Sequence, residues 1–277
     1  MNWIQSVMMG FISGLCEPSP VSAEAHRGLL RHLFGIESEG PLFLLLCHVA
    51  VLTVLLSAGQ LELSKLRRAA KLLKTPKRRR SGQLDLNSAG TNRMIRGAAI
   101  FAVIGGVLTV SLNFITRRLW MLAIPLFLGG LILWLPTQFR SANRDGRHMT
   151  AAEGILMGLA ALVSAVPGIS PVGTVTAVGS LLGADRRFAL RFAWILLCFR
   201  LAGAIVTDIM ALAGTGLELT LGLLLPAVLG AAAAAVGSYI SIQSVRSLTR
   251  PGGKGLADFC YFNWGHALLC ALLFLLV

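Results

Sequence analysis

Six apolar runs, each long enough to cross a lipid bilayer, constrain this chain more than any other feature of its sequence. They lie near residues 41–58, 96–112, 119–137, 192–213, 220–245 and 262–277. A helix needs about 20 apolar residues to cross a hydrocarbon layer of about 30 Å. The chain is also 55% hydrophobic and only 13% charged, which excludes an ordinary soluble domain. We therefore predict an all-α polytopic membrane protein with six transmembrane helices, in which residues 1–277 form a single membrane domain.

Two further segments, 4–34 and 152–183, are apolar but interrupted near their middles. The interrupting residues are Pro18, Pro20, Pro167, Gly168 and Pro171. Interrupted backbone is tolerated at membrane depth only where protein or a wet cavity covers its polar groups. Each segment therefore predicts a re-entrant helical hairpin that lines a site.

The basic residues predict which loops face the cytoplasm, because Lys and Arg accumulate there. They are concentrated in 59–95, 138–148, 185–191 and 246–254. The first of these is predicted to be a basic cytoplasmic loop that attracts anionic lipid. A nucleic-acid partner is not expected, since no aromatic residues interleave the run for base stacking. With these four segments on the cytoplasmic side, both termini and the connection at 35–41 lie outside.

The two hairpins are predicted to enter the membrane from opposite sides, and three spans follow each of them. Residues 1–137 and 150–277 would then form two repeats of inverted topology, with a site near the midplane. A shift of 148 residues aligns Ser22 with Ser170 but few other identical residues. The topology therefore carries most of this prediction.

The first interruption carries ionisable groups that are costly at membrane depth. A carboxylate there costs several kcal/mol unless it is paired or hydrated, so Glu17 is a candidate site residue. A snorkelling or structurally bonded Glu17 is the alternative. Ser22 and His26 follow on the outgoing half, where the three side chains could act as base, donor or nucleophile. A lone histidine on a helix is more often structural, and Glu24 could instead form a local ion pair with Arg27.

The second interruption, AVPGISPVGTVTAVG, holds no acid and is rich in glycine and hydroxyl groups. Free backbone N–H groups after Gly168, together with the hydroxyls of Ser170, Thr174 and Thr176, would favour phosphate oxygens. Gly173 lies in the same run. The alternative is that these small residues only let helices pack closely in lipid. The residues alone leave the two interpretations open.

Two stretches resemble motifs of the undecaprenyl pyrophosphate phosphatases of the bacitracin-resistance type. SGLCEPSPVSAEAH at 13–26 is similar to the family pattern EGLTEFLPVSSTGH, and PGISPVGTV at 167–175 is similar to PGxSRSGxT. The resemblance covers essentially the whole chain. It includes HVAVLTVLL at 48–56 and RFAWILLCFRLAGA at 191–204, which are similar to two family spans.

The resemblance implies hydrolysis of a polyprenyl pyrophosphate lipid on the outer face of the bacterial cytoplasmic membrane, which recycles the carrier of cell-wall precursors. It implies Mg²⁺ or Ca²⁺ as cofactor, with Glu17 as a ligand. A homodimer stays an open alternative. The implied catalytic residues are Glu17, Ser22 and His26, and the expected phosphate-binding residues are Gly168, Ser170, Gly173, Thr174 and Thr176.

The chain departs from the family patterns at two positions that carry charge there. Ser13 replaces a glutamate, and Pro171 replaces an arginine that would clamp phosphate. Arg200 lies inside a span where the family has an apolar residue, and it could supply the missing phosphate contact. Its alternative partners are Asp208, through water, or backbone carbonyls. A non-catalytic protein that binds or transports polyprenyl phosphate lipids is therefore the second functional hypothesis.

Overall fold

The computed structural model describes residues 1–76, 83–139, 143–216, 220–248 and 256–276. Over these residues the regular structure is helical, apart from one isolated parallel β-bridge between Arg144 and Ala184. The helices are α1 Trp3–Cys16, α2 Ala23–Phe34, α3 Pro41–Ala58, α4 Gln60–Lys74, α5 Leu86–Ser111, α6 Leu119–Trp134, α7 Ala151–Val163, α8 Pro171–Leu181, α9 Arg186–Gly214, α10 Leu221–Leu248 and α11 Leu256–Leu276. Two 3₁₀ turns, Asn113–Arg117 and Leu135–Gln138, flank α6.

Six helices of the described chain are long and apolar enough to cross a membrane, which confirms the predicted class. They are α3, α5, α6 with the turn that follows it, α9, α10 and α11. The helix α5 begins ten residues before the predicted span because Asp85 caps it. The Asp85 carboxylate accepts a hydrogen bond from the Asn87 N–H at 3.0 Å and another from the Ser88 hydroxyl at 2.6 Å.

The segment 59–95, predicted as a basic loop, contains structure of its own. The amphipathic helix α4 occupies its first half, and the first ten residues of α5 end it. Residues 77–82, in its most basic part, lie outside the described residues. Basic side chains therefore line a helix at this end of the molecule, as expected for a segment at a lipid headgroup layer.

Both interrupted segments consist of a helix, a break and a second helix. Ser22 caps α2, and its Oγ accepts from the Ala25 N–H at 3.4 Å. Ser170 caps α8 in the same way, accepting from the Gly173 N–H at 3.1 Å. Entry of the two segments from opposite sides of the membrane, and the inverted repeat, stay predictions.

The two breaks meet inside the molecule, which the sequence could not show. The Gly168 N–H donates to Ser22 Oγ at 2.9 Å, and Ser170 Oγ donates to the Ser19 carbonyl at 3.0 Å. The indole N–H of Trp194, on α9, donates to the Pro18 carbonyl at 2.8 Å. These bonds satisfy polar groups that the interrupted helices leave free, so the breaks are buried in protein rather than in lipid.

Trp194→Phe is expected to lower the stability of the folded protein by about 1–3 kcal/mol, because the buried Pro18 carbonyl loses its donor. The thermal unfolding midpoint of the purified protein in detergent measures this. Trp264→Phe is the matched control, since its indole N–H donates to the Phe127 carbonyl at an exposed position. An equal shift for both variants would contradict the assignment.

Candidate active site

Eight ionisable side chains converge beside the first break and line one cavity of about 40 Å³. Apart from the partly exposed Arg31 and Glu39, these residues are buried. The charged cluster, as we call it, consists of Glu17, Glu24, Arg27, Arg31, Glu39, His48, Arg200 and Asp208. Charged side chains in the interior of a membrane protein are costly unless paired, so the charged cluster is a candidate functional site.

Glu17 ends α1 at the break and is 3% exposed. Its Oε1 lies 3.9 Å from Nη1 of Arg27 and 4.0 Å from Nε2 of His48. Both distances are longer than a direct hydrogen bond. Arg27 and His48 therefore face the Glu17 carboxylate without forming a hydrogen bond to this oxygen. Arg27 Nη1 also donates to Ser13 Oγ at 2.8 Å, where the resembled pattern has a glutamate.

His48 and Asp208 form a buried pair that the sequence analysis did not assign to the site. His48 Nδ1 lies 2.7 Å from Asp208 Oδ2, across the contact between α3 and α9. This bond fixes the ring so that Nε2 faces Glu17. The signal was present in the sequence, since both ionisable residues lie inside predicted spans. Arg31 and Glu39 were also missed, and Arg27 was considered only as a partner of Glu24.

Arg200 is 3% exposed and pairs with Glu24 rather than with Asp208. Its Nη2 lies 2.6 Å from Glu24 Oε1, and its Nη1 donates to Thr109 Oγ1 at 2.9 Å. Asp208 is instead bonded directly to His48, and the alternative in which Arg200 reaches Asp208 through water stays a prediction. Glu24 in turn is not the direct partner of Arg27, which lies 3.4 Å from Glu39.

Ser22 joins the charged cluster to the second break. Its Oγ accepts from the Gly168 N–H and donates to Glu24 Oε2 at 3.3 Å. Gly168 has φ +110°, a conformation that a side chain would strain, and a Cβ there would lie 2.6 Å from Pro125 Cβ. The break is therefore held in one shape that presents its N–H to Ser22.

The remaining predicted phosphate-binding residues lie on α8, behind this contact. Ser170 is buried and bonded to the first break, as described above. Thr176 Oγ1 donates to the Val172 carbonyl at 2.6 Å, within its own helix. Gly173 packs on Pro20, and Thr174 is buried on the same helix. The structure thus brings Gly168 and Ser170 to the first break, whereas the Thr176 hydroxyl bonds within α8.

His26 lies in an aromatic group on the face of α2 that packs against α11. Its Nδ1 lies 2.6 Å from the Ser22 carbonyl, and its ring stacks on Phe262 with centroids 5.6 Å apart. The His266 ring is 4.6 Å away. The histidine that faces Glu17 is therefore His48, and a role of His26 at the reacting atoms stays a prediction from the resemblance.

The carboxylates of the charged cluster do not fit a resident divalent cation. Within the described ranges, no three His, Cys, Asp or Glu side chains are grouped to hold a metal ion. Glu17, Glu24 and Glu39 each lie within ion-pair distance of an arginine. Hard cations require several carboxylate or carbonyl oxygens that are free to coordinate. The predicted Mg²⁺ or Ca²⁺ with Glu17 as a ligand stays a prediction, and no chemical step is assigned to it.

A larger cavity, of about 720 Å³, lies between α3, α4, α5, α9 and α10. Its lining is mainly apolar, with side chains such as Leu52 and Phe192. Two of its ionisable residues, Arg191 and Glu62, pair with each other at 3.0 Å. None of the charged cluster lines this cavity, so the smaller cavity is the candidate active site despite its size.

The fold and the charged cluster define a six-span helical membrane protein with a buried ionisable site where two broken helical segments meet. The sequence profile of the family described as bacitracin resistance protein BacA matches residues 6–269. The chain therefore belongs to this family, and the match includes both breaks and the whole charged cluster.

Individual relatives are similar over nearly their full lengths. The undecaprenyl-diphosphatase of Carboxydothermus hydrogenoformans is 28% identical over 268 residues, covering 95% of this chain and 94% of that protein. That of Methanobrevibacter smithii is 26% identical over 269 residues, covering 95% of each chain. That of Gemmatimonas aurantiaca is 29% identical over 244 residues, covering 86% of each.

Proposed function

We propose that this protein hydrolyses undecaprenyl pyrophosphate to the monophosphate and inorganic phosphate, and so recycles the lipid carrier of cell-wall precursors. Its family and the names of its relatives support this. The observation that carries the proposal is the buried Glu17 carboxylate, which faces Arg27 and His48 beside the contact between Ser22 and Gly168. Such a site combines a base with cationic groups for phosphate oxygens.

The residues divide the chemistry between charge and proton transfer. Arg200 and Arg27 stabilise the negative charge of the pyrophosphate, which is the main requirement of phosphoryl transfer. Glu17 accepts a proton from the attacking group, either water or the Ser22 hydroxyl. Attack by water gives inorganic phosphate directly, whereas attack by Ser22 gives a phosphoserine, which a water then hydrolyses to inorganic phosphate and the free hydroxyl. The bond from the terminal phosphorus to the bridging oxygen breaks, and that oxygen leaves with the lipid monophosphate. His48, held by Asp208, keeps Glu17 oriented.

The site opens to the outer face of the bacterial cytoplasmic membrane in this proposal, and both termini lie outside. Glu39 and Asn113, which line the site, belong to connections that are predicted to lie outside. The basic helix α4 lies at the other predicted face. A homodimer stays a prediction.

Phosphate release from undecaprenyl pyrophosphate by the purified protein tests the proposal. Arg200→Gln is expected to slow release by roughly a hundredfold, since one buried donor to the developing charge is lost. Arg191→Gln, which breaks an exposed pair with Glu62, is the control and should retain activity. The names of the relatives do not favour a non-catalytic protein. Saturable binding of the lipid without any phosphate release would nevertheless establish that second function.

A further inference from the structure

The guanidinium of Arg200 is held by one charged partner, and its Nε–H donor is unused. Glu24 Oε1 is its charged acceptor at 2.6 Å, while Thr109 Oγ1 and the Ser164 carbonyl, at 2.9 and 3.5 Å, are neutral. The Nε–H of Arg200 is buried and has no hydrogen-bond partner among the described residues. A planar guanidinium can bind a phosphate through two N–H groups at once. Arg200 therefore has unused capacity for an anion.

The N-termini of α2 and α8 lie close together where the two breaks meet. The cap of α2, Ser22, accepts from Gly168 in the break that leads to α8, and the α8 cap, Ser170, bonds to Ser19 in the first break. The partial positive charge at helix N-termini favours an anion between them. Glu24 lies in the first turn of α2, so its carboxylate is the anion that the chain itself supplies there.

The charges that line the cavity do not favour the binding of an anion in addition to Glu24. Besides His48, the cavity is lined by the carboxylates of Glu17, Glu24, Glu39 and Asp208 and by the guanidinium groups of Arg27, Arg31 and Arg200. A pyrophosphate would therefore meet at least as many negative as positive groups. Unlike charges on the surface, these buried groups are only weakly screened by salt.

We propose that the Glu24 carboxylate occupies, in the empty protein, the position on Arg200 that a phosphate oxygen of the substrate takes on binding. Glu24 is then a specificity-determining residue, which weakens the binding of pyrophosphate by competing for Arg200. The pattern that this chain resembles has threonine at this position and arginine at the position of Pro171. This chain therefore has both a carboxylate at Glu24 and an arginine at Arg200 where the resembled patterns have neither.

This inference rests on the proposed function for the identity of the substrate, but its test does not require turnover. Inorganic pyrophosphate is titrated into the purified protein in detergent, and its dissociation constant is measured by calorimetry. We expect Glu24→Gln to bind it at least about tenfold more tightly, because the neutral amide no longer competes with the phosphate oxygens for Arg200 as the charged carboxylate does. Glu24→Thr should behave in the same way. Arg200→Gln should bind more weakly than the unsubstituted protein.

The double variant Glu24→Gln/Arg200→Gln separates competition for Arg200 from simple repulsion. We expect Glu24→Gln to change the dissociation constant by less than about threefold when Arg200 is absent. Equal tightening in both backgrounds would overturn the proposal, as would unchanged or weaker binding by folded Glu24→Gln. Failure of both Glu24 variants to fold would overturn it too, since the pair would then be structural.

Glu153→Gln is the matched control. Glu153 forms an ion pair with Arg144 of the same length, 2.6 Å, outside the charged cluster. Its loss should leave pyrophosphate binding unchanged. If the unsubstituted protein releases no phosphate from the lipid but Glu24→Gln tightens binding, the proposed function fails and this inference stands. If the protein hydrolyses the lipid and the Glu24 variants bind as before, only this inference fails.

Discussion

Glu17→Gln is expected to lower the rate of phosphate release by a factor of about 10²–10⁴, the usual contribution of a positioned general base. Gln has nearly the same shape but cannot accept the proton. The fold should survive, because Arg27 keeps Glu39 at 3.4 Å and the Ser13 hydroxyl at 2.8 Å, and His48 keeps Asp208. The measurements are steady-state release of phosphate from undecaprenyl pyrophosphate and the thermal unfolding midpoint of the same preparation.

Glu62→Gln is the control for loss of a carboxylate. The side chain of Glu62 is 43% exposed and pairs with Arg191. Neither residue belongs to the charged cluster. Exposed pairs contribute little to stability, so activity and midpoint should both stay close to those of the unsubstituted protein. Full activity of Glu17→Gln would remove Glu17 from the proton transfer and leave His48 as the nearest candidate base.

Gly14→Val is expected to prevent α1 from packing on α10 and to lower the unfolding midpoint by roughly 10 °C or more. A Cβ at Gly14 would overlap the backbone of Ala234, whose carbonyl carbon would lie 2.6 Å away. That backbone belongs to a helix and cannot move aside as a flexible side chain can. Ser238 Oγ also donates to the Gly14 carbonyl at 3.2 Å, so separation of the helices breaks a buried bond.

Gly265→Ala is the matched control, since a Cβ there meets nothing within 4 Å. It adds a methyl group to a glycine of α11 and should leave the midpoint unchanged or raise it slightly, because alanine favours helix over glycine. An unfolding midpoint for Gly14→Val equal to that of Gly265→Ala would contradict the close contact between α1 and α10. Activity should fall with the midpoint for Gly14→Val, since Glu17 is the C-cap residue of α1.

The contact between α1 and α10 shows how packing that carries no chemistry can position the site. Gly10 and Gly14 lie one turn apart on α1 and approach Gly230 and Ala234 of α10. Small residues at this spacing let helices approach closely in lipid, where the hydrophobic effect does not hold helices together. This contact fixes the end of α1 and therefore the start of the first break.

Local sequence was sufficient for the six spans and for the two breaks. Spans are predicted from hydropathy over about 20 residues, and breaks from the backbone restrictions of proline and glycine. Both are properties of short stretches, so they can be read without knowledge of the fold. The same reasoning marked Glu17 and Arg200 as ionisable residues at membrane depth. It did not single out His48 and named Asp208 only as a partner of Arg200, because an isolated ionisable residue in a span does not reveal its partner.

The sequence by itself thus determined the class of protein, the positions of its spans and the residues that had to find partners. Only the tertiary structure decided which partners they found. Arg200 bonds to Glu24 across 176 positions of the chain, and His48 bonds to Asp208 across 160. Such pairings depend on which faces of distant helices meet, and that is set by packing over the whole bundle. For the same reason the structure directs His26 towards Phe262 on α11 and places His48 beside Glu17.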